Sequence, residues 1–239
     1  MTIAVELARG LWPQRGVVSH ETIYQAIYAH GRRGLPAGLS GCLHRRRRHR
    51  KHRPSDPPAP TKRGPLGEFN LILARPAVAD HRRQVGHLEG DLVLGSFNRS
   101  AIATVFDRAS RHVWLAALRH GHGADAVHHA LVNLLHEIPP ELRRTITWDQ
   151  GREMARHADT AAVCGIDVYF AEPHSPWQRP TNENGNGLLR RYLGKGTDLN
   201  QFTNGDLRVI AHRLNTMPRR VLGWSTAQAV YHHAVALIT

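Results

Sequence analysis

The chain has 239 residues, with 32 Lys and Arg against 19 Asp and Glu, a formal charge of +13 and a pI near 11.0. That length holds one main domain and a smaller appendage, and the charge excess points to a polyanionic partner, nucleic acid ahead of an anionic membrane surface. Cys42 and Cys164 have no ligand-like spacing, no apolar run nears the roughly 20 residues of a membrane span, and Met1–Glu6 lacks signal-peptide features, so disulfide scaffolds, zinc motifs, membrane proteins and secretion are set aside in favour of an intracellular soluble protein.

Residues 1–43 read as a small helical region. Ser19 is placed to cap a helix with Glu21 in its first turn, and Ile23 with Ile27, and Tyr24 with Tyr28, follow at four-residue spacing. Such a helix either enters a DNA groove or simply packs. Residues 44–76 read as a linker, basic and then rich in proline, which sustains neither a helix nor a strand ladder. In a chain of this charge, Arg45, Arg46, Arg47, Arg48, Arg50, Lys51 and Arg53 suit contacts to the phosphate backbone, salt-sensitive and blind to base sequence.

Residues 77–239 alternate strand and helix signals. Strands are expected over 85–95, 100–107, 112–118, 144–148 and 167–170, with helices over 124–138 and 153–163 and a mostly helical remainder from Asn182. Three strands in a row, then alternating helices and strands, describe an α/β fold: a mixed five-stranded sheet with flanking helices.

Three carboxylates stand out. Asp91 lies near the end of the first strand signal, Asp149 ends the fourth, and Glu183 opens a helix. Taken singly, each also fits a strand-edge turn, a helix cap or a favoured first-turn acid. Together they suit convergence at one sheet edge, where oxygen ligands would hold Mg²⁺ or Mn²⁺, two ions in phosphodiester chemistry. Arg190 follows Glu183 by nearly two helical turns, on the same face, and suits an anionic substrate. In the loop before the helix, Trp177 either stacks on a base or plugs the core, and Arg179 is assigned to DNA. His87 and His174 are candidate proton shuttles, of little weight among 18 histidines.

The segments His87-Leu88-Glu89-Gly90-Asp91, Trp148-Asp149-Gln150-Gly151, Pro173-His174-Ser175-Pro176-Trp177-Gln178 and Asn182 to Arg190 resemble bacterial insertion-sequence transposases with an integrase-like catalytic core. The branch resembled is the family named after insertion sequence thirty; Val18 to Gln25, Lys195 to Leu199 and the 33 residues between Asp149 and Glu183 are also similar to it. The resemblance implies a ribonuclease-H-like fold, Asp91, Asp149 and Glu183 as a metal-binding catalytic triad using Mg²⁺, and Arg190 at the DNA terminus. It implies cleavage of an element's ends, their transfer into target DNA, double-stranded terminal repeats and target as partners, a homo-oligomer on DNA, and a place on the bacterial nucleoid. The family usually begins with a helix-turn-helix region upstream of where this chain starts, so the expectation includes a truncated copy or a misassigned start. Its alternative activity is that of an inactive copy competing for element ends. Leu88 stands where relatives commonly carry Trp, and Pro180 where they carry Gly.

Overall fold

The computed structural model describes residues 2–10, 16–19, 22–23, 66–119, 121–173 and 175–238. The chain divides into two compact units, Met1–Thr61 with Pro218–Trp224 and Lys62–Met217 with Ser225–Thr239. In the smaller unit, helix α1 spans Thr2–Ala8, and Arg9 Nη1 donates to the Trp224 carbonyl at 3.0 Å. Ser19 is in capping geometry: its Oγ accepts from the Thr22 N–H at 3.1 Å, satisfying one of the donors a helix start leaves open. The expected stripes at Tyr24, Ile27 and Tyr28, and the basic run from Arg45 to Arg53, lie outside the described residues.

The larger unit is built on six strands: β1 (Asn70–Leu71), β2 (His87–Leu94), β3 (Ala101–Asp107), β4 (Val113–Leu118), β5 (Thr145–Trp148) and β6 (Asp167–Phe170). Their order in the sheet is β1-β6-β5-β2-β3-β4. β2 is the pivot, antiparallel to β3 and parallel to β5. The mixed sheet matches expectation with one strand more. The addition is Asn70–Leu71, running parallel to β6 within the segment assigned to the linker. Leu66 and Arg75 are buried as well, so the folded unit takes in chain that precedes residue 77.

Five helices complete the described part of this unit: α2 (Ala124–His136), α3 (His157–Cys164), α4 (Pro180–Leu193), α5 (Asn204–Asn215) and α6 (Ala227–Ala236). On one face of the sheet Leu88, Val105, Ile146 and Phe170 share a core with Val127, Leu131 and Leu135 of α2. On the other, Val93, Ile102 and Phe106 meet Leu189 and Leu193 of α4 and Leu207 and Leu214 of α5. Helices cover both faces, which is why β3 is an apolar run buried along its whole length rather than an alternating strand. The open edge at β4 is closed by the two ends of α5. Asn215 accepts from the Val113 N–H at 2.9 Å and donates to its carbonyl at 3.0 Å, while Asn204 accepts from the Ala117 N–H at 3.0 Å. Unpaired edge groups are a template for misassembly, and here side-chain amides occupy them.

Candidate active site

α4 lies along β2, and four contacts in register fix it there. Arg179, just before the helix, donates from Nη1 to the Gly90 carbonyl at 2.9 Å. The Asn182 N–H donates to Glu89 Oε2 at 2.9 Å, Asn186 Nδ2 to Asp91 Oδ2 at 2.9 Å, and Arg190 Nη2 to the Leu94 carbonyl at 2.7 Å. Glu89 is fully buried and its other oxygen accepts from Arg108 Nη1 at 3.0 Å. The pairing gives the buried carboxylate partners on both oxygens, and it anchors the start of α4.

Two glycines make this approach possible. A Cβ on Gly90 would fall inside the Trp148 ring of the neighbouring strand, and one on Gly185 would fall inside the Phe106 ring beneath α4. The first lets a fully buried tryptophan lie across β2 beside Asp91; the second lets α4 sit close enough to β3 for Asn186 to reach Asp91.

Asp91 and Asp149 come from adjacent parallel strands and face a common cation. Arg179 places Nη1 3.8 Å from Asp91 Oδ1 and Nη2 3.4 Å from Asp149 Oδ2. Asp149 Oδ1 is buried with no hydrogen-bond partner. Burial pushes the Asp91 carboxyl up to about 6; the Arg179 charge opposes that shift and the Asp149 charge adds to it. Glu153, four residues after Asp149, folds back towards it, its carboxyl raised first by burial and then by the Asp149 charge. Its Oε1 also accepts from Trp148 Nε1 at 3.3 Å. This turn is the reason α3 begins at His157 rather than near Glu153: Arg152–Met154 form a separate 3₁₀ turn.

Other expected site residues fall in different places. Glu183 is exposed in the first turn of α4, one turn before Asn186 on the stripe that follows β2. Among the described residues no three acidic or histidine side chains are gathered to hold an ion, so the pair Asp91–Asp149 is formed and its third member stands apart. The reason is local: Asn186 takes the position against Asp91, and Arg179 supplies the positive charge between the aspartates. Arg179, assigned to DNA from the sequence, is thus turned inward. Arg190 spends its guanidinium on the Leu94 carbonyl, at the far end of the same stripe. Trp177 is not a core plug: the residue is 70% exposed, in a loop where Gln178 accepts from the Glu172 N–H at 2.7 Å and donates to its carboxylate at 2.8 Å. His87 is no proton shuttle at this site. It is buried four residues before Asp91, about 13 Å along an extended strand, bonded to Thr145 and Gln84, and held neutral by burial, which lowers it to about 4. His174 lies outside the described residues.

Asn186 and Glu153 were not singled out from sequence, although each stands at a helical offset from an acid that was. The integrase core domain family matches residues 81–176, a span holding both aspartates and Glu153. Over 221 residues the chain is 43% identical to the transposase for insertion sequence element IS1086 of Cupriavidus metallidurans, covering 92% of this chain and 63% of that protein. It is 40% identical over 230 residues to transposase InsI for insertion sequence element IS30A of Escherichia coli K12, covering 92% of this chain and 57% of that one. Residues 81–176 match an integrase core domain, and over most of its length the chain is similar to IS1086 and IS30 transposases. A transposase for insertion sequence element IS4351 of Bacteroides fragilis is 36% identical over 219 residues, 88% of this chain and 62% of its own. The chain therefore spans about three-fifths of the length of these relatives. The mixed sheet with helices on both faces fits the ribonuclease-H-like fold of an integrase core.

Proposed function

We propose that this protein cuts the DNA ends of an insertion sequence and joins them to target DNA by metal-dependent phosphodiester transfer. One observation carries the reading most: Asp91 and Asp149, remote in sequence, converge on a single guanidinium at 3.8 and 3.4 Å, with an unpartnered buried oxygen on Asp149. Two carboxylates sharing one positive charge, with oxygen donors to spare, fit a hard divalent cation such as Mg²⁺ or Mn²⁺, and two ions once Glu183 turns in. When bound, such ions would polarise the phosphodiester and stabilise both the attacking and the leaving oxygen.

The chain's own residues then divide the remaining work. Asp91 is the better buried acid, fixed by the Leu92 N–H at 2.9 Å and by Asn186, so its orientation is set before any ligand arrives. Glu153 lies beside the Asp149 carboxyl and is bonded to Trp148. Glu183, exposed in the first turn of α4 and one turn from Asn186, is assigned as the third carboxylate. Arg179, once displaced from the aspartates, is placed to pair with the DNA backbone phosphate, and Arg190 lies further along the same stripe for the DNA terminus. The exposed Trp177 ring offers a stacking surface for a base. Double-stranded DNA, as terminal inverted repeats and target, is the partner, engaged by a homo-oligomer at the bacterial nucleoid. No described helix is long and apolar enough to cross a membrane.

The test uses purified full-length chain, Mn²⁺ and duplexes taken from the flanks of the coding region. Nicked or joined products are expected from the wild type and none from Asp149→Asn, with duplex binding retained. Product formation undiminished by Asp149→Asn would remove the mechanism. Salt-sensitive binding without any product from the wild type would leave only a DNA-binding role.

A further inference from the structure

The turn between β2 and β3 does something the fold does not need. Phe97 and Asn98 both hold left-handed backbone conformations, φ 53° and 56°, which an aromatic residue adopts only under constraint. The constraint is visible on all sides. Gly95 N–H donates to the Ser100 carbonyl at 2.7 Å, Ser96 N–H to the Thr197 carbonyl at 2.9 Å, and His122 Nε2 to the Asn98 carbonyl at 2.8 Å. The result lifts the Phe97 ring into solvent, 88% exposed, the most exposed of the large apolar side chains in the described residues. A ring held out in this way contributes nothing to the core and pays in backbone strain, which makes it a candidate for a contact made with something else.

Its surroundings say what that something is. The Arg99 guanidinium carbon lies 5.6 Å from the Phe97 ring centroid. Beside the turn opens a cleft of about 540 Å³ lined by Arg99, His122, Arg152 and Glu153, with Gly121, Gly123 and Ala124 at the start of α2. Glu153 is the group that touches Asp149, so the cleft runs up to the candidate active site. Among the described residues neither the Arg99 nor the Arg152 guanidinium has a carboxylate partner or a hydrogen bond. An exposed flat ring beside two unpaired cations and a histidine matches a stacked base flanked by backbone phosphates.

We infer that Phe97 is a wedge that enters duplex DNA at a base step, with Arg99 and Arg152 holding the adjacent phosphates, so that the DNA is bent where it passes Asp149. This rests on the DNA-transfer reading above and adds to it a positioning residue for the duplex. Inserted apolar side chains unstack a step and kink the helix, and the cost falls where the duplex is already weakened. A wedge therefore binds a duplex with a central mismatch more tightly than the same duplex fully paired.

The experiment measures affinity of the full chain for those two duplexes by fluorescence anisotropy, with Ca²⁺ present, and scores product formation on the paired duplex separately with Mn²⁺. The wild type should favour the mismatched duplex by about tenfold, the scale of one stacked base. Phe97→Ala should lose that preference and Phe97→Trp keep it. Phe97→Gly, which suits the φ 53° backbone, should lose it with no fall in melting temperature. Arg99→Gln should weaken both duplexes and reduce the salt slope by about one. A wild type with no mismatch preference, or a Phe97→Ala variant that keeps it, overturns the wedge. So does a Phe97→Ala variant altered only in sedimentation, which would make the turn a contact between copies of the chain. Wedge behaviour without product would sink the transfer reading alone, and product with no dependence on Phe97 would sink the wedge alone.

Discussion

At the scale of single residues, the site is a set of charges held slightly against their own preference. Asp91 is raised from 3.8 to about 6, chiefly by burial. A carboxyl whose folded pKa lies above its unfolded value binds its proton more tightly in the native state. The stabilisation is complete below about pH 4 and is lost as pH rises through 6. Asp91→Asn removes that titration. Metal-free Asp91→Asn should therefore melt higher than the wild type at pH 8, the gap narrowing towards pH 5, while product formation disappears. Thermal melts of both proteins in EDTA across that range check it; a gap independent of pH would show that Asp91 does not carry the strain. Stability gained on losing activity is the usual mark of a functional carboxylate. Arg179 belongs to the same balance: at 15% side-chain exposure between two aspartates, it keeps their repulsion in check until another cation takes over.

Elements bring those residues together, and here the sequence was an uneven guide. Most strands and helices were legible because they carry strong periodicity: the apolar run of β3, the stripe Val127, Leu131, Leu134, Leu135 of α2, and the four residues of β6. β1 was not, since two residues have no period; its place comes from pairing Asn70 and Leu71 with Tyr169 and Phe170. The aspartate pair was legible as two strand ends. Its organisation was not, because the inward turn of Arg179 and the fold-back of Glu153 depend on side-chain direction, which spacing does not encode. Trp177 shows the same limit: its sequence context fits either a stacking surface or a core plug, and only the loop geometry leaves it exposed. Gly185 tests whether close approach of α4 is what assembles the site. On helix propensity alone, Gly185→Ala would stabilise by up to about 1 kcal/mol. The new methyl would instead meet the Phe106 ring, and overpacking costs roughly 1–3 kcal/mol, so the clash wins. The variant should unfold at lower denaturant concentration and lose activity out of proportion, as Glu183 and Asn186 shift away from β2. An unchanged or raised midpoint would mean that α4 adjusts freely and that the glycine is not what sets the spacing.

For the whole molecule, the charge is distributed unevenly along the chain, and that division predicts how binding and chemistry separate. Seven of the 32 Lys and Arg lie between Arg45 and Arg53, ahead of the larger folded unit, whereas the proposed catalytic acids are all inside it. Under the proposed function such a run would neutralise phosphates, and each neutralised phosphate releases counterions, giving a log–log salt slope of about −0.9 per contact. Replacing Arg45, Arg46, Arg47 and Arg48 with Gln should therefore flatten the salt dependence of duplex binding by roughly 3 to 4 and weaken binding on every sequence alike. The melting transition of the larger unit should not move, because no residue of its described core lies in that run. Product formation at saturating DNA should also persist, since Asp91, Asp149 and Glu183 are untouched. Anisotropy titrations across a salt series, paired with single-turnover product yields, separate the two effects. If the slope stays as steep as in the wild type, the run is only a solvated segment, and the phosphates are held elsewhere, with Arg99 and Arg152 the first positions to examine.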